Sequence, residues 1–367
     1  MTDSTDSRFH VDDLLRDSAT NLFASTCGFD AVQAAEGVGW APEIWDAVAG
    51  AGFTRIGLPE EADGSGGSLL DAAEVLRIAG SYAAPIPLAE TSMLGGWLLT
   101  TAGLALPDGP VTVAPGVAED SIGVTGNDDG SVTVTGSAGR VPWAAQADIV
   151  VLVADVDGVP TVVAIDPNAD GVTNDGTTNV AGEPRPTVSV DSVTVPADRV
   201  VAMADRPNLA EGLRLRGALT RTMLMAGALD AMSRLTVEYT DQRQQFGRPV
   251  SRFQAVQQHL VWGAQDAAIA NVTAQVAAAK AADGVLAARF EIAAARTVAN
   301  ECASTATRWA HQAHGAMGMT QEYALHHLSR RLWAWRHEYN TPGEWASIVG
   351  GMAEAAGPDG LYPLIAS

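Results

Sequence analysis

Three apolar stretches of helical period follow one another late in the chain, at residues 209–239, 253–282 and 284–317. Each is far longer than the usual strand of up to about ten residues. None holds about eighteen apolar residues in a row without charge, so no membrane span is expected. Their faces are rich in alanine, which lets helix axes approach closely. Long helices joined by short connections predict antiparallel neighbours in a bundle.

The chain before this bundle has two further textures. Residues 41–50, 69–82 and 91–104 show helical apolar spacing, with a Gly/Ser-rich loop at 64–68 and breaks at Pro85 and Pro87. From residue 107 onward Gly, Asp, Thr and Val dominate. Residues 131–135 and 187–195 alternate, 148–153 and 160–164 read as buried strands, and turns fall at 128–130 and 157–158. The expected class is therefore α+β. An N-terminal helical domain (1–106) precedes a small β-barrel or sandwich domain (107–204) and a C-terminal four-helix bundle (205–367).

Charge narrows the function classes. Net charge is −21, and no basic face suited to a nucleic acid is visible. Lysine occurs once, at Lys280, so arginine carries nearly all the positive charge. Cys27 and Cys302 lie far apart in no metal-ligand spacing, and a reduced, cytoplasmic setting is expected. Residues 1–10 are polar and acidic, unlike a signal peptide.

The segment Arg243-Gln244-Gln245-Phe246-Gly247-Arg248-Pro249 joins the first two long helices, and Phe253-Gln254 follows it. The first helix is expected to end near Gln242 and the second to start near Ser251, with Gly247 and Pro249 making the turn. On physics alone this is a helical hairpin with a charged tip. A second segment, Gln312-Ala313-His314-Gly315-Ala316-Met317-Gly318-Met319, closes the third stretch with glycines that permit close backbone approach.

The first segment resembles the R-x-x-F-G-x-P-x-x-x-F-Q signature of acyl-CoA dehydrogenases. The second is similar to that family's Q-x-x-G-G-x-G-[YF] motif, departing from it at Ala316 and Met319. Residues 52–80 resemble its G-[FW]-x-x-[LI]-x-[VL]-P-E-x-x-G-G-x-G segment, so the likeness runs over roughly residues 40–345. It implies the acyl-CoA dehydrogenase fold, FAD as cofactor, an acyl-CoA thioester as substrate and an electron-transfer acceptor. It implies FAD contacts from Arg243, Phe246, Gln254, Gln312, Gly315, Ala316 and Thr341. In the family the arginine meets the pyrophosphate of a neighbouring subunit's FAD, a task that bidentate guanidinium chemistry suits.

The family desaturates the α,β bond of the acyl group. A carboxylate removes the α-proton while the β-hydrogen leaves as hydride. The usual station of that base is the glutamate of an E-G-T motif, and here the aligned residues are Tyr339-Asn340-Thr341. A tyrosine of pKa about 10 is a poor base for this step. The alternative station, 26 residues before the motif arginine, is Gly217. Glu338 and Glu211 are the nearest carboxylates that could substitute. The β domain also lacks the family's T-E-x-x-x-G-S-D at 111–120. It reads Arg140-Val141-Pro142 where W-I-T or F-I-T contacts the isoalloxazine.

No catalytic residue is assigned on this basis. The losses resemble one chain of the actinobacterial heterotetramers, whose flavin lies between unlike subunits and whose thioesters are often steroid-like. The Trp-rich stretch 331–339 is similar to such chains. Two other readings stand beside it: a self-sufficient homo-oligomer with a relocated base, and a non-enzymatic binding or scaffold protein on the same fold.

Overall fold

The structure is a computed structural model that describes residues 11–117 and 119–366; the reading of residues 1–10 lies outside them. Helices α1 (Asp13–Thr26), α2 (Phe29–Val38), α3 (Pro42–Gly50), α4 (Leu69–Ser81) and α5 (Gly96–Thr101) come first. Strands β1 (Val111–Val113), β2 (Gly123–Gly126), β3 (Val132–Ala138), β4 (Ile149–Val156), β5 (Val159–Ile165), β6 (Val172–Asp175), β7 (Thr187–Val195) and β8 (Val200–Ala202) follow. Then come α6 (Leu209–Gln242), the two-residue strands β9 (Gln244–Gln245) and β10 (Arg248–Pro249), α7 (Gln254–Ala282), α8 (Arg289–His314), α9 (Leu325–Trp335) and α10 (Pro342–Ala366).

The chain folds into two compact units. One comprises the chain up to Phe29, Ala73–Ala84 and everything from Ala218 onward. The other comprises Asp30–Ala72 and Pro85–Gly217. In the second unit β1, β4, β5 and β8 form one sheet and β2, β3, β7 and β6 another. Val150, Leu152, Val163 and Ile165 of the first sheet share a buried core with Val132, Val134, Val188 and Val190 of the second. Alternation along each strand fills that core, which makes the arrangement a sandwich. β1 pairs with β4 in parallel, whereas β4 and β5 form a hairpin whose Asp157-Gly158 turn has both φ angles positive. That is the turn type whose twist matches its strands.

In the first unit α6, α7 and α8 run antiparallel. Asn271 of α7 donates to the Ala226 carbonyl of α6 at 3.1 Å, and Thr305 of α8 donates to Asp266 of α7 at 2.6 Å. The α7 face toward its neighbours is Ala267, Ala270, Ala274, Ala277, Ala278 and Ala281, all buried. α4 packs against α6 at Gly80 and Gly227, where a Cβ on either residue would strike backbone of the other helix.

Three expected boundaries shift. Residues 91–104 do not form one α-helix: Glu90–Gly95 is a π turn leading into α5. The third long stretch starts at Arg289 rather than near residue 284, because Gly284 takes φ +133. The second starts at Gln254, after a 3₁₀ turn at Val250–Arg252.

Candidate functional site

The hairpin between α6 and α7 turns on Phe246-Gly247, with φ +52 and +78, and Pro249 sits in the two-strand ladder instead of the turn. Gln245 pairs with Arg248, which leaves a two-residue loop that needs positive φ at both places. Glycine adopts this at no cost. A phenylalanine there is a backbone outlier of the kind that persists where the surroundings impose it. Phe246 is 91% exposed, and its ring meets that of Phe253 edge-on with centroids 6.1 Å apart. Arg248 lies 4.1 Å over the Phe253 ring.

Arg243 follows the last turn of α6. Its N–H donates to the Tyr239 carbonyl at 2.9 Å, and its own carbonyl accepts from Val250 at 2.8 Å. The guanidinium is exposed and has no carboxylate partner among the described residues. Gln254 opens α7 beside the hairpin, with its side chain in solvent. Gln312 is exposed near the end of α8. Gly315 ends that helix at φ +60, and an added Cβ would meet nothing within 4 Å. Ala316 is exposed beside it.

These residues share one end of the bundle. The connection is aromatic: Tyr239 stacks on buried His314 at 4.4 Å, and Tyr323 meets both rings at 5.3 and 5.1 Å. Tyr239 stands one turn before Arg243, and His314 two residues after Gln312. His314 Nδ1 lies 2.8 Å from the Ala310 carbonyl, and burial holds its pKa below the usual 6.5. A neutral ring therefore wedges the two motifs together. Neither motif's residue types announce this stack.

Thr341 is elsewhere. It caps α10, its N–H and hydroxyl both donating to Glu344 at 2.7 Å while the Glu344 N–H points back at 3.4 Å, a capping box. The loop before it is pinned to Arg296, a fully buried residue of α8 that donates to the Trp335 carbonyl and, at 2.9 Å, to the Glu338 carbonyl. Counting along α8 from Arg296 to Gln312 at 1.5 Å per residue, the two ends lie roughly 24 Å apart.

At this second end stands the usual base station. Tyr339 is buried with φ +53, and Asn340 follows at φ +81. The indole of Trp345 donates to the Tyr339 carbonyl at 2.8 Å. Glu338 is bound: the Arg221 Nε–H donates to its carboxylate at 2.5 Å, and Arg221 itself is 1% exposed. Burial pushes the Arg296 pKa down to about 9; Glu338 opposes that shift, while Arg221 and Arg336 add to it. One carboxylate thus serves a cluster of cations. The other substitute, Glu211, is clasped by Arg214 at 2.5–2.7 Å. Gly217 is a buried helical position with no side chain to offer. Residues 209–239 had read as an uninterrupted apolar pattern, yet Arg214, Arg216 and Arg221 lie inside it. Arginines on a buried stretch were the available signal for this network.

The stretch of the β-sandwich from Val141 to Trp143, which overlaps the segment aligned with the family's isoalloxazine contact, is bonded from within. The Val141 N–H donates to Pro186 at 2.9 Å and the Trp143 N–H to Pro184 at 3.2 Å. The Trp143 indole donates to the Gly39 carbonyl at 3.0 Å, and the Pro142 carbonyl accepts from Thr112 at 2.5 Å. Val141 and Trp143 are buried. Residues 141–143 therefore have no backbone N–H left for a ring nitrogen or carbonyl.

Residues 215–336 match the acyl-CoA dehydrogenase C-terminal domain family. Acyl-CoA dehydrogenase IpdE2 of Mycobacterium tuberculosis is 29% identical over 326 residues, 87% of this chain and 89% of that protein. Acyl-CoA dehydrogenase FadE28 of the same organism is 28% identical over 310 residues, 77% of this chain and 84% of its own length. Among solved structures, the ChsE4-ChsE5 complex from Mycobacterium tuberculosis superposes with a TM-score of 0.86 at 22% identity, covering 95% of this chain and 99% of that one. Residues 215–336 thus carry the acyl-CoA dehydrogenase C-terminal domain, and the likeness to acyl-CoA dehydrogenases runs over most of the chain. Butyryl-CoA dehydrogenase from Megasphaera elsdenii shares the fold, with a TM-score of 0.83 at 19% identity over 94% of this chain and 99% of that one. The expected acyl-CoA dehydrogenase fold of the α+β class is thus observed. Among the described residues no helix is long and apolar enough to cross a membrane.

Proposed function

We propose that the chain is a subunit of an FAD-dependent acyl-CoA dehydrogenase, and that an unlike partner chain supplies the base and most of the flavin-ring site. The observation that carries this reading is the capture of Glu338 by Arg221 at the base station. A carboxylate already paired with a buried guanidinium is a poor acceptor for an α-proton, because protonating it would strand the buried cation. The closed 141–143 segment argues the same way for the ring.

The other bundle end fits the ADP half of FAD. Arg243 is an exposed cation free for phosphate, Phe246 is an exposed apolar tip, and Gly315 leaves open space for close approach. Gln254, Gln312 and Ala316 complete this surface. Thr341, at the far end of α8, belongs to a separate flavin contact. FAD would supply the hydride acceptor, and a soluble electron-transfer protein would reoxidise it. Support for a partner chain also comes from α7, where Val261, Trp262, Ile269, Val272 and Val276 are exposed along a 29-residue helix whose charged residues are Asp266 and Lys280. Such an apolar stripe marks a contact surface. The likeness to the ChsE4-ChsE5 complex supports a heteromeric arrangement, and the fold shared with a steroid acyl-CoA dehydrogenase, TM-score 0.81 at 22% identity, supports a bulky acyl group in a cytoplasmic catabolic enzyme.

The test is turnover of the chain alone, loaded with FAD, against acyl-CoA thioesters of several lengths and a steroid-type thioester. No turnover is expected. Co-expression with an unlike dehydrogenase chain that carries the glutamate should restore yellow colour and activity. Robust turnover by the lone chain would overturn the reading.

A further inference from the structure

One cation near the start of α6 has no counter-charge among the described residues. Arg216 lies one residue before the vacant base station Gly217. Its guanidinium donates one long hydrogen bond, 3.3 Å, to the Met93 carbonyl and stacks 4.3 Å over the Trp97 ring. Its Nε is buried and has no partner. A guanidinium carries five N–H donors, so most of this one's capacity is unused. Burial alone pushes its pKa down to about 10, with no carboxylate pulling it back. Glu211, the carboxylate nearest on the same helix, is held by Arg214. A cation–π contact offsets only part of the cost of burying an ion.

The surroundings have the character of a binding wall. Arg216 and Trp97 both keep accessible surface although Leu94, Leu98, Leu99 and Leu215 around them are sealed. The carbonyl that Arg216 reaches belongs to the π turn Glu90–Gly95. Such turns carry an extra residue at a cost in helix regularity and recur at functional sites. An unsatisfied buried donor on an apolar wall next to a π turn is a built place for one anion.

We propose that Arg216 anchors a carboxylate at the far end of the acyl group of a CoA thioester, which this chain holds without oxidising. The assignment rests on the acyl-CoA reading above and adds a substrate class to it: thioesters of dicarboxylic acids, or of larger acids bearing a second carboxylate. Trp97, which keeps accessible surface, is the platform against which the guanidinium lies flat.

The experiment is equilibrium binding to the assembled complex, which requires no turnover. The probes are hexanedioyl-CoA, with a free terminal carboxylate, and its terminal methyl ester. The free acid should bind at least about tenfold tighter. Arg216→Met should weaken the free acid by about 10–100-fold, the range for a hydrogen-bonded charge, and leave the ester within about threefold. The same substitution should raise or preserve the melting temperature of the ligand-free complex, since it removes an uncompensated cation. Arg216→Lys keeps the charge and should retain part of the preference. Equal binding of the two probes by the wild type would overturn the proposal, as would equal weakening of both by Arg216→Met. If neither thioester binds the wild type, the acyl-CoA reading itself fails and the anchor falls with it. Because the partner chain has an acyl site of its own, loss of the preference on substituting Arg216 assigns the carboxylate to this chain; if Arg216→Met folds poorly, Arg216→Gln is measured in its place.

Discussion

Replacing Glu338 by glutamine separates a structural carboxylate from a catalytic one. Its partner Arg221 is 1% exposed, whereas the Glu338 side chain retains 16%. Removing one member of a buried pair typically costs about 3–5 kcal/mol because the other charge is left uncompensated. Glutamine keeps an oxygen facing Nε, and Glu338 is not wholly dry, so the expected loss is about 2–3 kcal/mol. With about 2–3 °C lost per kcal/mol for a chain of this size, the melting temperature should fall by about 4–9 °C. Turnover of the assembled complex, by contrast, should stay within about threefold. Pairing the change with Arg221→Met should recover part of the stability, because the stranded cation goes too. Thermal melts and steady-state assays on the single and double variants are the measurements. A fall in turnover of about 10²-fold or more with an unchanged melting temperature would refute the argument and make Glu338 the base.

In the same complex, Arg243→Ala should weaken FAD retention by about 1.5–3 kcal/mol, read from the flavin absorbance that survives gel filtration. Tyr339→Phe should leave turnover within a few-fold, since the proposed reading sends the proton to the other chain; a large loss would implicate the phenol. Thr341→Ala should destabilise the first turn of α10 by about 0.5–2 kcal/mol in urea unfolding, through loss of its capping box. The bundle end at His314 should weaken in acid. Burial holds the folded pKa of His311 and His314 below 6.5, so the unfolded chain binds protons first. Their contribution is fully present above about pH 6.5 and is lost as pH falls through the folded values. His314→Phe should flatten the drop in urea stability between pH 7 and pH 5.

Elements with a strong period could be read directly. The long helices and the strands β3, β4, β5 and β7 fall close to their expected places because one apolar pattern governs each. The short strands β1, β2, β6 and β8 went unread, since three or four residues carry too little pattern to tell from a loop. The π turn was hidden for a different reason: one inserted residue leaves the composition of 91–104 fully helical. The hairpin tip was misplaced because proline and glycine both signal turns, whereas a two-residue loop is decided by positive φ at adjacent positions. The site divides in the same way. Arg243 and Gln312 stood out as motif residues, but the Arg221–Glu338 pair spans 117 positions and no local pattern announces it.

The two ends of the bundle use arginine in opposite senses, and that contrast bears on where a ligand can act. Arg296 spends its donors on Trp335, Glu338 and Met225, and Arg221 holds the Glu338 carboxylate and covers the Tyr339 ring at 5.4 Å. These groups stiffen a loop, and a substrate would have to break buried charge contacts to recruit them. Arg243 and Phe246 do the reverse. The two-residue turn Phe246-Gly247 holds a phenylalanine at positive φ, and the side chains of Arg243 and Phe246 are both exposed, Phe246 meeting Phe253 edge-on. Strain without internal compensation is most readily offset by a group from outside the chain. On the proposed reading, the chemistry missing at the first end and the contacts missing at the second are both completed by another molecule: a chain that brings a carboxylate, and a flavin that meets the hairpin.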